Sequence, residues 1–140
     1  MENENKIVVA VKVLILKDGK ILIVKRSSED EVGGNTWEFV GGKIEFGEDL
    51  EAALAREIAE EVGLTVTVEK ILYATTFKTD PTRQVVLITY LCRSSDEKII
   101  LSNEHSEYLW ATKDQLKSLL TTEMIEDINR NDIFSLKELH

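Results

Sequence analysis

Apolar positions along this chain keep two different rhythms. Residues 7–16, IVVAVKVLIL, are β-branched and apolar almost throughout, which suits a central strand. Asp18-Gly19 is a hairpin signal, and a second strand is expected over 21–26. Residues 27–36, SSEDEVGGNT, read as a polar loop ending in Gly33-Gly34. A short strand over 37–40 then leads into Gly41-Gly42. From about residue 49 to 62 the rhythm changes to that of a helix, with Gly63 as its C-terminal stop. Strand-like runs return at 64–78 and 84–93, joined by a turn around Asp80-Pro81. A further short strand is expected at 107–111. Thr112 is placed to cap a helix running to about residue 120, and a last helix is expected over about 122–138. Strands, one helix, strands and two helices make an α/β chain. The expected architecture is an α/β/α sandwich, a mixed β-sheet with helices on both sides.

The helix over 49–62 carries an anomaly. Glu57, Glu60 and Glu61 stand at i, i+3 and i+4, so one helix face collects three carboxylates. Glu57 and Glu61 form a like-charge pair that destabilises an isolated helix by roughly 0.2–0.5 kcal/mol. They also lie near the C-terminal end, where the helix dipole is already negative. Seven residues before each glutamate stand Leu50, Ala53 and Leu54. Seven residues make almost two turns, with a drift of only ~20°. The carboxylates therefore continue an apolar stripe. Ala55, Ile58, Ala59 and Val62 supply a second apolar sector, so the helix is expected to be covered on several sides. Its acidic end should open into a cleft that something positive completes.

Composition narrows the setting. The chain has 140 residues, enough for one domain and too few for a second substantial one. At 43% hydrophobic and 31% charged it can bury a core. A net charge of −9 argues against broad binding to a nucleic-acid polymer, which needs basic residues along the contact. It still permits a nucleotide, because a divalent metal reverses the local sign of a site. Cys92 has no partner cysteine and lies in an apolar run, so a buried thiol is expected. No apolar stretch nears ~20 residues, and the start MENENK lacks the pattern of a signal peptide. No membrane contact is expected, and a cytoplasmic protein is the default.

The segment 42–64 resembles the Nudix hydrolase signature: Gly, five residues, Glu, seven residues, then Arg-Glu-apolar-x-Glu-Glu-x-Gly-apolar. Gly42, Glu48, Arg56, Glu57, Ile58, Glu60, Glu61, Gly63 and Leu64 fill those positions. Seven fixed letters at ordinary usage give a chance match on the order of 10⁻⁸ to 10⁻⁹ per start position. The motif covers 23 residues, and the surrounding strand order is similar to the family's over nearly the whole chain.

The resemblance implies hydrolysis of a nucleoside diphosphate linked to a group X, with Mg²⁺ as cofactor and Mn²⁺ as a substitute. Mg²⁺ favours oxygen ligands and takes one or two carboxylates plus phosphates and waters. It would neutralise the diphosphate and lower the pKa of an attacking water. By that match Glu57 and Glu61 are the main metal ligands, and Glu60 is a further ligand or the general base. Arg56 orients the glutamates, and Gly42 or its neighbour Gly41 offers a backbone carbonyl to metal. Glu48 is a structural partner of the loop and helix start or an outer metal ligand. Beyond the motif, Glu104 resembles a late-loop residue that supplies a base or ligand, with His105 beside it as the weaker candidate. Arg26 is a candidate phosphate contact. Trp37 and Phe77 are candidates to stack on a base.

One departure bears on the rigidity of the loop, and one spacing bears on substrate. Val40 stands where many members have proline. Pro81 lies 18 residues beyond Gly63, which looks off the spacing of the specificity proline in ADP-ribose-cleaving members. The balance favours a small MutT-like enzyme that cuts a nucleoside triphosphate to monophosphate and pyrophosphate. The alternatives are an ADP-ribose or nucleotide-sugar pyrophosphatase and a non-catalytic nucleotide-sensing module. The expected partner is a small nucleotide, and a homodimer is left open.

Overall fold

A computed structural model describes residues 4–28, 34–96 and 98–140. Part of the expected 27–36 loop, including Gly33, lies outside the described residues. The strands are β1 (Lys6–Lys17), β2 (Lys20–Arg26), β3 (Trp37–Glu38), β4 (Val40–Lys43), β5 (Thr67–Asp80), β6 (Arg83–Arg93) and β7 (His105–Ala111). The helices are α1 (Leu50–Val62), α2 (Lys113–Leu119) and α3 (Thr122–Arg130), followed by a 3₁₀ turn over Ile133–Ser135.

The sheet runs β3-β2-β1-β6-β5, with β4 also paired to β1 and β7 to β2. β1 and β6 are parallel along Lys6–Leu16 and Arg83–Arg93, while the other pairs are antiparallel. A strand with both faces covered needs no polar alternation, which explains the near-continuous apolar run of β1. Its odd-numbered side chains Val11, Val13 and Ile15 pack with Leu54, Ile58 and Val62 of α1. Leu14 and Leu16 turn the other way, onto Leu116, Leu120 and Ile128 of the α2 and α3 layer. The α/β/α arrangement follows directly from that division.

One edge of β1 is shared between two strands. Ala10–Val13 pair with β4, whereas Leu16 and Lys17 pair with β2 across the hairpin. That hairpin turns at Asp18 (φ 51°) and Gly19 (φ 79°), the left-handed pair that an Asp-Gly turn supplies. Val40 is fully buried and pairs with Val13 inside β4. The position where the resembled pattern has proline is thus held here by a strand ladder.

Two expectations need correction. α1 is covered on one face only: Ala53, Leu54, Ile58, Glu61 and Val62 are buried, while Ala55, Ala59 and Glu60 are exposed. Alanine favours the helix wherever it points, so its periodicity did not mark a second contact. The last helix stops at Arg130 rather than near 138. Asn131 Nδ2 donates to the Asp127 carbonyl at 2.8 Å, and Asp132 adopts a left-handed φ of 55°. Asn and Asp tolerate that conformation and so end helices. Thr112 caps α2 as expected, in a reciprocal box with Gln115. Cys92 is buried as expected, and burial pushes its thiol up to about 12.

Ile58 is fully buried between α1 and the sheet. Ile58→Ala is expected to cost about 2–5 kcal/mol of unfolding free energy in urea titration. A cost below 1 kcal/mol would show that α1 contributes little to the core.

Candidate active site

Glu48, Arg56 and Glu57 are tied together where the loop after β4 enters α1. Asp49 makes no side-chain cap to the helix. Glu48 instead accepts the Glu45 backbone N–H at 2.7 Å and closes the preceding turn. Arg56 grips the same carboxylate with two parallel bonds, Nε to Oε2 at 2.6 Å and Nη2 to Oε1 at 2.9 Å. Its Nη1 donates to Glu57 Oε1 at 3.0 Å and to Glu60 Oε2 at 3.3 Å. Nη2 also reaches the Lys43 carbonyl at 3.2 Å. The hydrogen bonds from Arg56 and from the Glu45 N–H pull the Glu48 carboxyl down to about 2. The same contacts push the Arg56 guanidinium further above its ordinary value. Arg56 thus contacts Glu48, Glu57 and Glu60, carboxylates of the segment it is expected to orient.

Glu57 lies against β4, and this explains Gly42. A Cβ at Gly42 would stand 2.6 Å from both Cδ and Oε1 of Glu57. Only a residue without a side chain lets the carboxylate lie there. Glu61 is 6% exposed at its side chain, and its Oε1 has no hydrogen-bond partner among the described residues. Burial first, then the neighbouring Glu57 carboxylate, push Glu61 up to about 9, with the Lys12 charge opposing the rise. A buried carboxylate beside a second carboxylate, with one oxygen unpartnered among the described residues, is a setting that a cation would fit. Oxygen donors of this kind suit a hard divalent ion. Among the described residues no three His, Cys, Asp or Glu side chains form a complete metal cage. Glu60 is 59% exposed at its side chain and turned toward Arg56. The pair the structure brings together is Glu57 and Glu61.

The far side of Glu61 holds groups that sequence reasoning ranked low or missed. His105 is buried, with Nδ1 3.9 Å from Glu61 Oε1 and Nε2 2.9 Å from Glu38 Oε2. Glu38 also meets Arg26 Nη1 at 3.5 Å and Lys12 Nζ at 3.7 Å. Burial pushes the Glu38 carboxyl up, but the His105 bond and the Lys12 and Arg26 charges outweigh it, so it titrates below its ordinary value. Glu38 and Lys12 drew no attention in the sequence. The available signal was a lysine inside an otherwise apolar strand. Arg26, expected to contact phosphate, is engaged with Glu38. Glu104 is exposed on the turn before β7; its carbonyl accepts the Ser27 N–H at 2.9 Å. That turn is joined to the end of α1 through Ser102 N–H and the Glu61 carbonyl at 3.1 Å.

A pocket of about 520 Å³ opens on the α3 side of the sheet, with Lys12, Glu38, Tyr73, Phe77, Met124 and Asp127 in its lining. This size suits a nucleotide-sized ligand. Phe77, a candidate to stack on a base, is among its lining residues. Trp37 instead packs beside Lys25, whose Nζ is 6.0 Å from the ring centre. Pro81 sits in the β5–β6 turn, where Asp80 Oδ1 accepts the Thr82 N–H at 2.8 Å.

The family model for the NUDIX domain matches residues 6–130. This chain belongs to the Nudix hydrolase family. It is 31% identical over 104 residues to a MutT-like protein of Streptomyces ambofaciens, covering 74% of this chain and 62% of that protein. It is 28% identical over 110 residues to the CTP pyrophosphohydrolase of Escherichia coli strain K12, covering 79% of each. The crystal structure of a MutT protein from Methanosarcina mazei Go1 superposes with a TM-score of 0.83 at 26% identity, covering 96% of this chain and 99% of that one. The chain is a Nudix-type enzyme, and Nudix hydrolases generally use divalent metal ions. Among the described residues no helix is long and apolar enough to cross a membrane.

Two outcomes are expected of the acidic centre. Glu61 is biased toward its protonated form, since burial and the neighbouring Glu57 carboxylate raise its folded pKa above its ordinary value of 4.5. Its contribution to stability is complete below 4.5 and is lost as pH rises through about 9. Mg²⁺ binding at neutral pH should then release a proton, read by calorimetry in buffers of different ionisation enthalpy. Proton-neutral binding would remove Glu61 from the metal site. Arg56→Lys cannot reproduce the two-pronged grip on Glu48. It should weaken Mn²⁺ binding about 10–100-fold by paramagnetic titration; unchanged affinity would leave Arg56 a purely structural role.

Proposed function

We propose that this enzyme hydrolyses a nucleoside triphosphate to the monophosphate and pyrophosphate, as a single Nudix domain of the small MutT-like kind. The observation that carries this reading is the adjacency of the Glu57–Glu61 carboxylates to the nucleotide-sized pocket through His105, Glu38 and Lys12. The MutT and CTP pyrophosphohydrolase relatives support the substrate class.

Glu57 and Glu61 would hold Mg²⁺, or Mn²⁺ in its place, with Glu60 and a backbone carbonyl near Gly42 as further donors. When bound, the metal supplies charge neutralisation for the diphosphate and acidifies a bound water. The remaining work belongs to the chain. Arg56 keeps Glu57 and Glu48 apart and aimed. Burial excludes water around Glu61 and His105, which strengthens every charge interaction there. The attacking water needs a base, and Glu60 and Glu104 are the candidate carboxylates, both exposed and so able to exchange the proton with solvent. Pyrophosphate would depart as a highly charged product, and Arg26, which meets Glu38 at 3.5 Å, is the candidate guanidinium to stabilise it.

The test is a panel of nucleoside triphosphates, ADP-ribose and nucleotide sugars with Mg²⁺, scored for pyrophosphate against orthophosphate. Monophosphate plus pyrophosphate is the expected product pair. Turnover confined to ADP-ribose or nucleotide sugars would overturn the triphosphate reading. Glu57→Gln and Glu61→Gln should each lower kcat on the order of 10²–10³-fold while the circular dichroism spectrum is retained. Glu104→Gln and Glu60→Gln separate the two candidate bases: the variant that keeps its kcat is not the base.

A further inference from the structure

Lys12 is costly where it stands. Its neighbours on β1 are apolar, and its side chain is only 23% exposed. An ammonium has three donors. One goes to the Phe39 carbonyl at 3.0 Å. The nearest carboxylate oxygen, Glu38 Oε1, lies at 3.7 Å, beyond hydrogen-bond reach. Glu38 is divided in the same way. Its Oε2 serves His105 and Arg26, while among the described residues Oε1 faces only the Lys12 charge. Both residues line the pocket. The pocket wall therefore carries, side by side, a cationic donor with unspent N–H groups and a carboxylate oxygen with unspent acceptor capacity.

Such a pair discriminates between ligand groups. A phosphate would meet the Glu38 carboxylate together with the Lys12 ammonium, and attraction to one is opposed by repulsion from the other. A neutral edge that offers a carbonyl oxygen next to an N–H satisfies both at once. Nucleobases differ in this respect. Guanine, hypoxanthine and uracil carry adjacent C=O and N–H groups on the pairing edge, whereas adenine presents an amino donor beside a ring-nitrogen acceptor. Adenine would set donor against ammonium and lone pair against carboxylate.

We propose that Lys12 and Glu38 form a base-reading pair that selects lactam-bearing nucleobases over adenine. This rests on the triphosphatase reading above. Lys12 donates to the base carbonyl and Glu38 Oε1 accepts the ring N–H. Arg26 and His105 hold the other Glu38 oxygen and keep the carboxylate from swinging onto the ammonium.

Hypoxanthine and adenine differ in the functional group at issue on the same purine ring. IMP and AMP are titrated calorimetrically into the protein without divalent metal, so the reading does not depend on turnover. IMP is expected to bind about 10–100-fold tighter than AMP. In Lys12→Met, an isosteric change without charge, that ratio should collapse toward one, with a matched melting curve as the fold control. Lys12→Arg keeps a cationic donor and should retain part of the preference. Equal binding of IMP and AMP to the wild-type protein, no binding of either, or an unchanged ratio in Lys12→Met would each overturn the proposal. The hydrolysis panel decides the triphosphatase reading separately: triphosphate turnover with equal IMP and AMP binding would retain the enzyme and discard the base reader.

Discussion

A single guanidinium organises the acidic end of α1. Three glutamates on successive helical turns repel one another, and a fourth, Glu48, precedes the helix. Left alone they would splay into solvent. Arg56 fixes Glu48 with a two-pronged bond and spends its remaining donors on Glu57 and Glu60. The Glu48 grip ties the entry loop to the second turn of the helix, and the Lys43 carbonyl ties both to β4. The missing side chain of Gly42 then leaves room for the Glu57 carboxylate. Salt-bridge number matters little here. What matters is that one planar, permanently charged group satisfies carboxylates whose directions differ, which an ammonium cannot do.

Glu61 stands outside that arrangement. It is the member of the cluster most removed from water, and its unpartnered oxygen faces His105 rather than Arg56. The acidic helix thus presents two kinds of carboxylate. Glu48 is ionised across the ordinary range, and Glu61 is reluctant to ionise without a cation. Opposite shifts in neighbouring groups are a recurrent property of catalytic sites, because they separate structural charge from chargeable chemistry.

The acidic motif was legible because its spacing is fixed by helix geometry, and the β1–β2 hairpin because Asp18-Gly19 is a local signal. β1 was legible because both of its faces are covered. The second apolar sector of α1 misled, since Ala55 and Ala59 satisfy a hydrophobic count without needing burial. The early end of α3 depends on Asp132 entering a left-handed conformation, which sequence composition signals weakly. Glu38 was illegible for a different reason. Its meaning comes from β2 lying between β3 and β7 and from β4 lying beside β1, so Lys12, Glu38 and His105 meet from three distant stretches of chain. No periodicity announces such a meeting.

The parallel pairing of β1 with β6 has a consequence in time. β1 is made first on the ribosome, and its partner Arg83–Arg93 follows only after β2, β4, α1 and β5 have been made. Until that partner arrives, one whole edge of an apolar strand lacks its ladder. Pairings so distant in sequence are slow to close and leave such edges open to other chains. The hairpin to β2 and the short ladder to β4 guard the opposite edge early. The acidic helix can pack on a partial sheet, but the pocket cannot exist before β6 brings β5 into place. Assembly therefore completes the two halves of the site in order, the charged half before the receptive one.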